Sequence, residues 1–69
     1  RFHFLAWRRL ARERFGFELT PELNERFKGV NRIACMKLLC EWTGADLPPE
    51  EFAALTDRKN AWYVEYVSA

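Results

Sequence analysis

The residues of this chain that could do chemistry are few and widely spaced. The densest group is "FKGVNR", residues 27 to 32, where Lys28, Gly29 and Arg32 surround the start of a helix. A cation in a first helical turn opposes the macrodipole by about 0.3 to 1 kcal/mol. Gly29 lets the backbone approach a partner, and the free N–H groups of a helix start point outward. A phosphate would reverse the electrostatics, because N–H groups, dipole, Lys28 and Arg32 would then all face an anion. The same residues also fit a plain turn, with two solvated cations and a glycine that ends a helix.

Two further residues interrupt apolar patterns. In the last predicted helix the series Phe52, Leu55, Trp62, Tyr66 follows a 3–4 rhythm, and filling it puts Lys59 on the seam. A lysine there either snorkels to the surface or reaches into a cleft, and snorkelling is the commoner outcome. Near the other end, His3 shares a helix face with Trp7, four residues on. A lone histidine is most often structural or merely exposed.

The elements that must position these residues are all helical. Residues 2 to 14, "FHFLAWRRLARER", carry Phe2, Leu5, Ala6, Trp7 and Leu10 at helical spacing, and Gly16 follows as a stop. Thr20, Pro21 and Glu22 supply an N-cap, a first helical position and a dipole-compatible charge for a short second helix that ends by Gly29. Asn31 caps a third helix that runs to Gly44 with the stripe Ile33, Met36, Leu39, Cys40, Thr43. The loop "GADLPP" precedes a fourth helix from near Pro49 to about Val67, roughly 27 Å long. With no hairpin signal and no repeat, the fold expected for residues 1–69 is all-α, a compact bundle of four helices in one domain.

Composition bounds the possibilities. A chain of 69 residues buries only about 60% of its unfolded surface, so its stability is marginal. Three Trp, six Phe and two Tyr offset the small size. A net charge of +1 gives no general basic surface, so no nucleic-acid partner is expected. No apolar run approaches the ~20 residues of a membrane span, and no signal peptide is visible. Cys35 and Cys40 lie on one predicted helix with Cα atoms roughly 8 Å apart, beyond disulfide reach, which suggests free thiols in a reducing compartment such as the cytoplasm. Metal binding would need more ligands than two Cys and a distant His. The helical pattern begins at once, without an initiator Met, and the chain stops directly after a periodic segment, which suggests a piece of a longer protein.

Taken together, "HFLAW" (His3 to Trp7), "KGVNR" (Lys28 to Arg32) and "RKNAWY" (Arg58 to Tyr63) resemble the cap domain of the β-phosphoglucomutase group of the haloacid dehalogenase superfamily. There the pieces read roughly H-x-x-A-W, K-G-V-S-R and R-K-N-x-x-Y, in this order and at similar spacing. The first is shared with many related phosphatases; the second followed by the third is more specific. Asn31 stands where the family usually has Ser, and both cap helices well. Pro48 stands where a Ser or Asp cap is common.

The resemblance implies a helical cap inserted in an α/β Rossmann-like phosphoryl-transfer core, absent from this chain, that carries a nucleophilic Asp, an acid/base Asp and Mg²⁺. The whole enzyme would interconvert β-glucose 1-phosphate and glucose 6-phosphate, and the cap alone would be inactive. By the same resemblance Arg32 would grip the non-transferring phosphate, helped by N–H groups around Gly29, Val30 and Asn31. Lys28 and Lys59 would line the sugar cleft, His3 would support the acid/base Asp, and Trp7 would pack under the sugar. The partners would be a phosphorylated sugar and the core of the same polypeptide. Two alternatives stay open: the cap of a related sugar-phosphate or small-metabolite phosphatase, and a free-standing helical interaction module.

Overall fold

A computed structural model describes residues 2–69 and is all-α among them. The first helix, α1, spans Phe2–Leu10 and buries Ala6, Trp7 and Leu10. Sequence periodicity predicts one α-helix to residue 14. Instead the chain widens into a π-helical turn over Ala11–Phe15 before Gly16, at φ 60°, closes it. The amides of Gly16 and Phe17 bond the carbonyls of Arg12 and Ala11, a left-handed glycine closure that brings Phe15 and Phe17 back against the core.

Helix α2 spans Pro21–Asn24 and continues as one 3₁₀ turn, Glu25–Phe27. Thr20 caps it by accepting from the Leu23 amide at 3.2 Å. Helix α3 spans Arg32–Thr43, capped by Asn31 and ended by Gly44. Helix α4 spans Pro49–Ser68. No described helix is long and apolar enough to cross a membrane.

α1 and α4 pack antiparallel. Arg14 pairs with Glu51 at one end, and His3 stacks on Tyr63 toward the other. Between these helices and α3 sits the core: Leu10, Leu19, Met36 and Leu39 are fully buried, with Trp7, Phe27, Leu55 and Trp62 nearly so. Trp7, Phe27, Trp42 and Phe17 form a continuous aromatic chain with centroid spacings of 5.3, 5.6 and 6.2 Å. Such pairs add about 0.5 to 1.5 kcal/mol each beyond their buried area, a sizeable share of a small domain's stability.

The inner face of α3 differs from the expected stripe. Cys35, Met36 and Leu39 are buried, Cys40 is half-buried and Ile33 is 39% exposed. The face is turned by roughly half of the ~100° between successive residues. Thr43 uses its hydroxyl to bond the Leu39 carbonyl at 2.7 Å rather than joining the core, and the uncharged thiol of Cys35 packs as a small apolar group.

Candidate functional site

The segments singled out in the sequence converge on one cleft of about 640 Å³. α1 contributes His3, Phe4 and Trp7 to its wall; α4 contributes Lys59 and Asn60. The turn between α2 and α3 contributes Lys28, Gly29, Val30 and Asn31, and the first turn of α3 contributes Arg32 and Cys35. Phe27 and Asn24 complete it. Aromatic rings thus form the floor, and cations with free backbone amides form the rim.

The rim follows from local sequence. Gly29 adopts φ +71°, a left-handed conformation that a side chain would strain, although a Cβ there would meet nothing within 4 Å. Its requirement is therefore conformational: it turns the chain from the 3₁₀ segment into α3. The Val30 amide bonds the Phe27 carbonyl at 3.2 Å and closes the turn. Asn31 accepts from the Ala34 amide at 2.9 Å through its side chain, and its carbonyl takes the Cys35 amide. The amides of Arg32 and Ile33, in the first helical turn, have no intrahelical acceptor. Arg32 itself has no carboxylate partner among the described residues. Lys28 is different. Its ammonium reaches back to Glu25 at 3.1 Å and is largely exposed, so it stands at the outer edge of the cleft.

The inner wall is built around Lys59, which does not snorkel. Only 4% of it is exposed, and its Nζ lies 2.8 Å from His3 Nδ1. The same ammonium sits 4.9 Å from the Trp7 ring centre and 5.5 Å from that of Tyr63. His3 lies flat on Tyr63, with centroids 3.9 Å apart and planes 9° apart, so its ring is held although it is exposed. When Lys59 is charged its ammonium can only donate, so Nδ1 accepts and the proton of the neutral His3 ring sits on Nε2. Burial, followed by the Lys59 charge, pushes the His3 pKa below its ordinary 6.5. Burial also pushes Lys59 below its ordinary 10.5; Cys35 opposes the shift and Arg32 adds to it. Cation–π contacts favour the charged amine by about 0.5 to 2 kcal/mol, yet the net direction is downward.

Tyr63 and Cys35 were not identified as site residues from the sequence. Tyr63 lies one turn beyond Lys59 on α4, and that i, i+4 spacing was a usable signal. Cys35, three residues after Arg32, is buried at the cleft with its Sγ 3.8 Å from the Val30 carbonyl. Its pKa is raised, mainly by burial, against a downward pull from Lys59.

Among the described residues no three His, Cys, Asp or Glu side chains come together. The cleft's side chains are cationic or neutral, so they fit an anion and not a divalent cation. No protein-family model matches the chain, and no solved structure matches it.

Proposed function

We propose that this chain is the substrate-specificity cap of a β-phosphoglucomutase-type enzyme, and that its cleft closes over a phosphorylated sugar. The observation that carries this reading is the convergence of Arg32, Lys59, His3 and Trp7, from three separated segments, on one cleft where neither Arg32 nor Lys59 pairs with a carboxylate among the described residues.

Each side chain then has a task within its reach. Arg32 and the amides at the start of α3 hold the phosphate that is not being transferred. A mutase presents its substrate in two orientations, so the distal phosphate needs its own rigid seat. Lys59 faces the sugar from the inner wall, over an aromatic floor that excludes water. Positioning and electrostatics supply most of the catalysis of phosphoryl transfer, and dryness favours a sugar acceptor over water. His3 keeps Nε2–H free to donate toward a carboxylate of the core. The nucleophile and Mg²⁺ belong, in this proposal, to that core.

The first turn of α1 and the C-terminal half of α4 lie together, as the contact of His3 with Tyr63 requires. An NMR titration with inorganic phosphate tests the seat directly. Shifts concentrated on the amides of Gly29 to Ile33, with millimolar affinity or about −4 kcal/mol, are the expected result. Shifts spread over the surface lysines and arginines would overturn it.

A further inference from the structure

Lys59 has the surroundings of a nucleophile as well as those of a binding group. The chain has three lysines. Lys28 and Lys37 are exposed, whereas Lys59 is 4% exposed and lines the cleft. An amine reacts with carbonyl compounds only as the free base. Desolvation and a neighbouring cation are the two features that keep a lysine in that form. Both are present: aromatic rings enclose the ammonium, and Arg32 lies on the same cleft. Beside the amine, at 2.8 Å, stands a neutral imidazole nitrogen that can take its proton.

We propose that Lys59 is a covalent site for small phosphorylated aldehydes, whose phosphate occupies the seat at Arg32 while the carbonyl carbon meets Nζ. This rests on the anion seat proposed above. The chemistry balances without a further reagent. Nδ1 of His3 accepts a proton from the Lys59 ammonium. The free amine attacks the aldehyde, the C–N bond forms, the carbonyl π bond breaks, and proton transfer gives a neutral carbinolamine. Its hydroxyl leaves as water, taking the proton held on His3, and the second N–H proton of the amine is released as the neutral imine forms. Amine and aldehyde become imine and water, with no change in oxidation state. Once Lys59 is neutral, the charge that opposes protonation of His3 is gone, so transfer between them is easier at that moment than at rest.

The groups facing Lys59 set the pH response. They are His3 from α1, Arg32 and Cys35 from α3, and Tyr63 from its own helix, with Lys28 at the edge. None is a carboxylate, so no carboxylate opposite Lys59 offsets the downward push of burial on its pKa.

The test uses pyridoxal 5′-phosphate and, in parallel, pyridoxal without the phosphate. Each is added to the folded chain near neutral pH, the imine is reduced with borohydride, and the modified lysine is found by peptide mapping. Lys28 and Lys37 are internal controls. Pyridoxal 5′-phosphate is expected to mark Lys59 ahead of both, by severalfold. Inorganic phosphate and Arg32→Ala should each reduce that preference, and pyridoxal should mark Lys59 first but more slowly. Modification of Lys28 and Lys37 ahead of Lys59 would overturn the assignment. If both aldehydes mark Lys59 equally and phosphate does not compete, the phosphorylated ligand class and the anion seat both fall. If phosphate shifts the amides of Gly29 to Ile33 but neither aldehyde marks Lys59, the seat stands and the nucleophile is overturned.

Discussion

Lys59 Nζ and His3 Nδ1, 56 positions apart in sequence, lie 2.8 Å apart and, among the described residues, make the one polar tie between α1 and α4 inside the cleft. The tie disfavours protonation of His3, because a protonated ring would put two cations in contact. Its sign with pH follows. The His3 pKa lies below 6.5 in the folded chain, so as pH falls through 6.5 the unfolded chain takes up a proton first. The stabilising contribution is complete above 6.5 and is lost as pH falls through the folded value. The His3 ring protons, followed by NMR, should titrate with a midpoint below 6.5, and in Lys59→Met that midpoint should move up toward 6.5. An unchanged midpoint in Lys59→Met would mean that the two side chains are not in contact in solution.

Lys59→Met should leave the domain as stable as before or more so. The lysine is buried against two rings and one neutral acceptor, with no carboxylate, so its desolvation is only partly offset. Met fills much the same volume with a flexible apolar chain, and volume-conserving swaps stay within about 1.5 kcal/mol. The gain should fade at high pH. Lys59 titrates below 10.5 when folded, so the cost of burying its charge is present at neutral pH and is relieved as pH rises toward 10.5. Thermal melts of both proteins across that range would show the two curves converging. A fall of many degrees in Lys59→Met at neutral pH would instead make Lys59 a structural tie.

Arg32→Ala separates the seat from the fold. Arg32 is exposed, has no carboxylate partner among the described residues, and opposes the α3 dipole. Its loss should change stability by no more than about 0.5 kcal/mol. In the full-length enzyme of the proposed function it should weaken sugar-phosphate binding by about 1.5 to 3 kcal/mol, the value of a charge-assisted contact. Hydrolysis of a small donor such as acetyl phosphate, which needs only the core, should survive. Equal losses in both assays would make Arg32 structural.

What can be read from this sequence depends on the range of the forces involved. Thr20 with Pro21, Asn31 before Arg32, and Gly16, Gly29 and Gly44 at positive φ are local signals, readable from neighbours. The rhythm through Phe52, Leu55, Trp62 and Tyr66 placed Lys59 on the seam for the same reason. Its depth was not readable, because it depends on Trp7 and His3 arriving from the antiparallel α1. Cys35 was read only for what it could bond with Cys40, whereas its place at the cleft comes from the rotation of α3 against the core. The widened turn over Ala11–Phe15 has no marker in sequence beyond Gly16, since π-helical and α-helical turns share the same backbone region and residue preferences.

Asn31 offers the sharpest separation of capping from binding. Its side chain accepts from the Ala34 amide at 2.9 Å, while the amides of Arg32 and Ile33 beside it stay open. Asn31→Ala removes the cap and should cost about 1 kcal/mol of stability. Asn31→Asp keeps the cap and adds a negative charge where the α3 dipole favours one, so the fold should be unchanged or slightly more stable. The same charge would oppose an anion in the seat. A carboxylate held about 5 Å from a phosphate, at an effective dielectric near 20, opposes it by roughly 3 kcal/mol. Phosphate should then leave the amides of Gly29 to Ile33 unshifted in Asn31→Asp, at concentrations that saturate the wild type, while melting temperature holds or rises. If Asn31→Asp binds phosphate as well as the wild-type chain does, the anion sits elsewhere, and the turn before α3 only joins two helices.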